Sequence, residues 1–511
     1  MDIPWCLGFG IWGFMRRPDV AKPLDSATAY VSICVLALTS RIIAAFLLPT
    51  AEQDGYSYAE IIAGLTNHLE TGRFRLTDLY GFWLPAFQFA AAVVNLGIHS
   101  PIVAGKVLNA LCGAATVVLV FEITRLVTRS LMFALIGFVM MLLDPLHLLY
   151  SAACMTDVPH ACIVLVSLWL ALRQRWTGAA VFAAIAGTIR VESWALLFIL
   201  PVLEFLNQRK IPWLTICILL MPPMGWLLTT YAATGHPLSY FQERRRYHSE
   251  YIQFHPDRIG FNWRTVLGDV EAWLLGAHGL VTTGVLIATA IVIWRMVRAR
   301  DWFREDVAVV AAYWWGMLGL LAVAYLTKAQ PVLLPRYGLM FLAIGLPVFG
   351  WTLQWCFSGL RSRSTKPVLA TAVVILIAAE LYSQLPTISN VQDDYRAHQK
   401  IASVVAKALL AEPGVRCFSD DAAIRVISGL PVSRFVRSPA IREEAVSGDR
   451  FLNHLQNNNI RWLIFFPTED SLPVKFFPKM GQLPPATTAP FEFVDYASSA
   501  FGPDIWLYRV R

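Results

Sequence analysis

Through most of the chain, apolar residues arrive in blocks separated by short polar or charged intervals. A helix needs about 20 mostly apolar residues to cross a bilayer, with about 17–25 as the usual range. Blocks of that kind fall near 29–49, 102–123, 131–146, 158–172, 178–189, 193–206, 211–231, 279–294, 307–325, 337–355 and 367–385, which predicts about eleven membrane-spanning helices. Some blocks are short, so tilted or re-entrant passages would change the tally. The run "FWLPAFQFAAAVVNLGIHS", 82–100, is nearly long enough to be another. It is placed on the outer surface as an interfacial helix, because one more crossing would reverse every later segment. Past residue 386 the apolar runs shrink to strand length: "GVRCFSDD", "RWLIFFP" and "IWLYRVR" read as strands, and "RAHQKIASVVAKALLAE" and "SGDRFLNHLQNNN" as helices.

The predicted organisation is therefore a mainly α, polytopic transmembrane bundle over 29–385. A cytosolic lead-in, 1–28, precedes it and a small extracytoplasmic α/β domain, 386–511, follows. No internal repeat is visible, and "MDIPWCLGFGIWGFMRRPDV" lacks the small-residue pattern of a cleavable leader. Composition agrees with a membrane protein: 56% of residues are hydrophobic and only 15% charged. The net charge of +7 raises nucleic acid as a partner, but the basic residues form no patch. They follow the even-numbered blocks instead, at Arg125 and Arg129, Arg173 and Arg175, Arg209 and Lys210, Arg295 to Arg300, and Arg361 to Lys366. With Arg16, Arg17 and Lys22 they all fall on the cytosolic side of a multi-pass protein of the inner (plasma) membrane. The eight cysteines show neither zinc-site spacing nor a disulfide pattern.

Polar chemistry gathers at the other face. "PTAEQDGYSYAEIIAGL" follows the first block, and Asp54, Tyr58, Ile61, Ile62 and Leu65 recur at helical spacing. Asp54 is a candidate general base, with a helix N-cap as its plainer role; Glu52 and Glu60 are weaker candidates. "DPLHLLYSAACMTDVPHACIVLV" puts Asp144 and Asp157 around one short outer turn. Asp157 would meet Asp54 across the bundle, where the two would hold a sugar hydroxyl or a divalent ion such as Mg²⁺ or Mn²⁺; capping by Thr156 or Asp157 is the alternative. His147 and His160 lie nearby. The run "ERRRYH" gives Arg244, Arg245 and Arg246, with Arg258 and Arg264 beyond, a cluster suited to a lipid-borne phosphate or to anionic membrane lipids. Arg336 stands at the mouth of the tenth block, and Arg190 and Glu192 share another outer turn. Arg41, within the first block, must find an internal partner.

Taken in order, these segments resemble the GT-C superfamily of integral-membrane glycosyltransferases, which includes protein O-mannosyltransferases and the lipid A aminoarabinose transferase. The matching stretches are "DGYSYAEIIAGL", "WLPAFQFAAAVVNLGIHSPIVAGKVLNALCGAATVVLVFEITRLV", "LLDPLHLLYSAACMTDVPHACIVLVSLWLALR", "AAIAGTIRVESWALLFILP", "YAATGHPLSYF" and "PRYGLMFLAIGLP". The resemblance implies a polyprenyl-phosphate-linked sugar as donor and a glycan, lipid or protein as acceptor. It places Asp54 as the first-loop acid and Asp157 as the second. Transfer would run by an inverting displacement, with Arg336 and the loop arginines on the departing phosphate. Tyr58, Arg190, Glu192 and His236 are expected to line the substrate. Two departures stand out: Pro85 is alone where a Pro-Pro pair is common, and His236 replaces the commoner Asn. The rival readings are a transporter or flippase of lipid-linked sugars, a glycan polymerase or ligase, and a non-catalytic scaffold.

Overall fold

The computed structural model describes residues 27–50, 52–254, 264, 268–269, 278–299, 306–327, 334–359, 365–441, 447–468, 471–482, 487, 489–499 and 504–511. The expected lead-in lies almost wholly outside them.

In chain order the helices are α1 (Ala27–Leu47), α2 (Glu52–Glu70), α3 (Ala86–Ile98), α4 (Pro101–Thr128), α5 (Leu131–Leu143), α6 (Pro145–Ser151), α7 (Asp157–Leu172) and α8 (Trp176–Gly187). Then come α9 (Leu196–Gln208), α10 (Trp213–Thr234), α11 (Ser239–Phe254), α12 (Gly279–Ala299), α13 (Asp306–Leu326), α14 (Gly338–Gly359) and α15 (Thr365–Ala411). Every apolar block read from the sequence falls on a helix. Among the described residues, 7 helices are long and apolar enough to cross a bilayer, or 8 if the bent pair α5 and α6 forms one span. Helices α3, α7, α8 and most of α12 are apolar but shorter.

Helix α4 is the hub: it packs on α1, α5, α7 and α14, and its inward positions Val117, Val120, Phe121 and Ile123 join the main core. The 59° bend between α5 and α6 answers the question posed by Arg41. Asp144 and Pro145 interrupt the helix, and the last turn of α5 is left with carbonyls that no later amide can reach. Arg41, wholly buried, donates to two of them, Met141 O at 2.7 Å and Leu142 O at 2.8 Å. Its Nη2 also lies 2.7 Å from His147 Nδ1. A charge inside the bundle and a broken span thus compensate each other. Asp144 caps α6 by accepting the His147 amide at 2.7 Å, and His160 Nε2 sits 2.6 Å from Ser193 Oγ.

The boundary expected at residue 386 falls inside α15, a continuous helix of 47 residues that carries Pro386 within it. The last apolar block and the helix predicted for the tail are one rod, and the sheet domain hangs from its far end. That domain holds β1 (Arg416–Ser419), β2 (Phe435–Val436), β3 (Ile460–Phe465), β4 (Phe491–Ala497) and β5 (Ile505–Val510) in the order β2-β1-β3-β5-β4. Strands β2, β1 and β3 are parallel, while β5 runs antiparallel to β3 and β4. Between the strands lie α16 (Ala422–Ile427) and α17 (Gly448–Asn457). Helix α17 buries Phe451 and Leu455, at i and i+4, on one face of the sheet.

Candidate active site

The site grows from the first turn of α2. Glu52 has φ 59°, in the left-handed region, a conformation that costs a residue with a Cβ about 1–3 kcal/mol unless its surroundings impose it. Three residues on, Gly55 admits no side chain, since a Cβ there would meet Thr50 Cγ2 at 2.4 Å. Tyr58, Ile62 and Leu65 then bury one face of α2 against Phe87, Leu146, Leu149 and Val158. That packing fixes which way Glu52 and Asp54 face.

Both acids meet Arg336, which lies in a single 3₁₀ turn ahead of α14. One guanidinium nitrogen bonds Glu52 and the other donates to Asp54 Oδ2 at 2.5 Å. The Tyr150 hydroxyl, from α6, donates to the remaining Glu52 oxygen. The Arg336 side chain is only 8% exposed, whereas those of Glu52 and Asp54 are 32% and 33% exposed. The cation is therefore sunk behind two carboxylates that look outward. Burial pushes the Glu52 carboxyl up, and Arg336 and the Tyr150 hydroxyl oppose that rise. For Arg336 burial works against the charge, but Glu52, Asp54 and Asp157 outweigh it and hold the guanidinium charged.

A second cluster stands beside the first. Asp157 opens α7, and its Oδ1 accepts Arg190 Nη1 at 2.7 Å. Arg190 also bonds Glu192 at 2.7 Å and lies 3.4 Å from Thr156 Oγ1. The Tyr58 hydroxyl approaches the same Thr156 oxygen at 3.4 Å. Tyr337 bridges the clusters, with the Arg190 guanidinium 4.9 Å and the Arg336 guanidinium 5.7 Å from its ring centre. The second oxygen of Asp157 is buried and has no hydrogen-bond partner among the described residues.

Of the sequence candidates, Asp54, Asp157, Tyr58, Arg190, Glu192 and Arg336 thus converge on one rim. Arg244, on α11, joins its edge: it bonds Tyr240 at 3.0 Å, lies 5.3 Å from the Phe82 ring centre, and feels Glu192 and Tyr337. Arg245 and Arg246 are exposed, because successive helical residues point about 100° apart. His236 is exposed in the turn between α10 and α11, where its Nδ1 accepts the Leu238 amide at 3.3 Å. Arg258 lies outside the described residues. Tyr150 and Tyr337 carry no sequence signal that marks them as site residues, since an aromatic near a bilayer boundary is commonplace.

A divalent ion does not fit this arrangement. The carboxylates of Glu52 and Asp54 converge on a guanidinium, and Asp157 is engaged by another. Among the described residues no group of three or more His, Cys, Asp or Glu side chains is set to hold a metal.

The bundle, the bent span and the sheet domain on its long helix make a fold that solved structures share. Solved structures with this fold include ArnT from Cupriavidus metallidurans bound to undecaprenyl phosphate, with a TM-score of 0.58 and 13% identity over 94% of this chain and 98% of that one. The same protein in its apo state matches at 0.58 with 14% identity over the same shares. The archaeal oligosaccharyltransferase AglB from Archaeoglobus fulgidus, in complex with an inhibitory peptide and a dolichol-phosphate, matches at 0.51 and 11% identity over 89% of this chain and 72% of that one. No family model matches the sequence, and no curated protein matches it either.

Proposed function

We propose that the protein transfers a sugar from a polyprenyl-phosphate-linked donor to an acceptor at the extracytoplasmic face of the membrane. The observation that carries this reading is the gathering of acids on arginines at one end of the bundle: the outward-looking Glu52 and Asp54 on the sunken Arg336, and beside them the buried Asp157 with Glu192 on Arg190. The basic residues that close α4, α7 and α9, namely Arg125, Arg173 and Arg209, stand at the opposite helix ends, which is what positive-inside orientation asks of an outward-facing site. Solved proteins of this fold bound to undecaprenyl phosphate and dolichol-phosphate add support for a lipid-phosphate donor.

In the mechanism, the donor phosphate approaches laterally and its negative charge competes with the acids for Arg336. Asp54, released from the guanidinium, takes the proton of the acceptor hydroxyl. The hydroxyl oxygen bonds the anomeric carbon as the bond to phosphate breaks, and the phosphate departs onto Arg336 and Arg244. Charge developing on the leaving group thus meets a cation already fixed in place. Asp157, held by Arg190, keeps one buried oxygen for a sugar hydroxyl. No metal enters these steps.

A flippase or transporter is the alternative, and such proteins place their charges near the bilayer midplane; here most charges gather at one rim, with Arg41 as the buried exception. The test is Asp54→Asn in purified protein supplied with polyprenyl-phosphate sugars. A positioned base contributes about 10²–10⁴-fold, so turnover should fall by about that factor while the protein stays folded. Near-normal transfer by the variant removes Asp54 from the reaction.

A further inference from the structure

Helix α2 has a second buried face, and it does not look into the bundle. Gln53, Tyr56 and Glu60 recur at a spacing of three and four residues, so they form one stripe along the helix. That stripe meets α16 of the sheet domain. The Glu60 carboxylate receives two bonds from Arg425, from Nε at 2.6 Å and from Nη2 at 2.8 Å. Arg425 is 2% exposed, and its remaining nitrogen donates to Ser419 O, the last residue of β1, at 2.9 Å. Tyr56 packs against Ala422 and Ala423, and the Gln53 side-chain oxygen lies 3.3 Å from the Ala422 amide.

The sheet domain is itself fixed at this point. Asp421 caps α16 by accepting the Ile424 amide at 3.2 Å, and its other oxygen lies 3.1 Å from His398 Nε2 on α15. A continuous series of polar contacts therefore runs from the long helix through α16 into α2. It ends one residue from Glu52, whose left-handed backbone needs outside support, and one residue from Asp54.

We infer that the sheet domain sets the position of the acid-bearing turn, with Arg425 and Glu60 as positioning residues for the transfer. The inference rests on the proposed role of Asp54. Covering the site and recognising an acceptor are tasks a domain can perform from a flexible tether, whereas a two-pronged bond from a buried guanidinium fixes both the distance and the rotation of α2. Lysine offers charge without that fork, so it cannot replace Arg425 fully.

The experiment compares Arg425→Ala, Arg425→Lys, Glu60→Gln and the double variant Glu60→Gln/Arg425→Ala in the full-length protein. Each is measured for kcat and KM with a polyprenyl-phosphate sugar and for amide hydrogen exchange. Displacing a reacting group by about 1 Å costs about 10²-fold. Arg425→Ala and Glu60→Gln should therefore lower kcat by about ten-fold or more, with KM for the donor nearly unchanged. Their combination should be no worse than either alone, since both break one contact. Lysine at 425 should recover part of the loss. Exchange should rise over residues 52–60 and stay unchanged over the strands. Normal kcat in Glu60→Gln, or a rise in exchange spread equally through the sheet, overturns the inference. If the wild-type protein transfers no sugar from any such donor, the functional reading fails, and the exchange of residues 52–60 still decides whether Arg425 holds the turn.

Discussion

Arg336 is the most exacting test of the site. Its guanidinium divides between two carboxylates, so Arg336→Gln removes the cation and leaves Glu52 and Asp54 side by side. Breaking a buried ion pair by deleting one partner costs about 3–5 kcal/mol. The acids here are about one-third exposed, so water recovers part of that and the lower end of the range applies to stability. For turnover the relevant comparison is the loss of one preorganised donor to developing charge, about 10²–10³-fold. Arg336→Lys keeps the charge but satisfies one acid at a time, so its activity should fall between glutamine and wild type. Because Arg336 counters the burial that pushes Glu52 up, its removal lets that carboxyl climb further. Protonation of Glu52 should therefore set in at higher pH than in the wild type. The assay is turnover of a lipid-linked sugar across pH in detergent, with size-exclusion profiles to verify folding. An Arg336→Gln protein with more than a tenth of wild-type turnover refutes the assignment.

Two further outcomes follow from the geometry. Turnover should be unaffected by EDTA, because guanidinium groups occupy the carboxylates a divalent ion would need; loss of activity on chelation that Mg²⁺ or Mn²⁺ restores would contradict this. Arg41→Leu removes the donors that satisfy Met141 O and Leu142 O at the bend. Each buried carbonyl left unpaired costs about 1–3 kcal/mol, so the thermal midpoint in detergent should drop by several degrees, and an unchanged midpoint would show that the bend does not depend on Arg41.

The helical bundle was legible because membrane spans announce themselves by length and apolarity, and all the predicted blocks fall on helices. What the sequence hid was continuity. The rod of α15 runs past Pro386 because a proline within a helix costs a bond and bends the chain without always ending it. In the tail, β1, β3 and β5 were evident from compact apolar runs. The two-residue β2 is too short to leave a pattern, and β4 was missed because "FEFVDYA" mixes charges into an edge strand. At the site, Asp54, Asp157 and Arg336 stood out as charges where the bilayer ends. Their pairing was not readable, since Arg336 and Asp54 are 282 positions apart. The three consecutive arginines read as one cluster, but helix geometry sends only Arg244 toward the rim. Glu60 read as a weaker candidate for the base, and nothing in the sequence tied it to Arg425, which meets it from the other end of the chain.

The most direct measurement is release of free polyprenyl phosphate when purified protein is mixed with polyprenyl-phosphate sugar and an acceptor extract. A transferase of the kind proposed liberates lipid phosphate in step with sugar appearing on the acceptor, and Asp54→Asn liberates about 10²–10⁴-fold less. Donor that stays intact, or crosses the bilayer of a reconstituted vesicle uncleaved, would mean that these acids and arginines carry a lipid-linked sugar and do not transfer it.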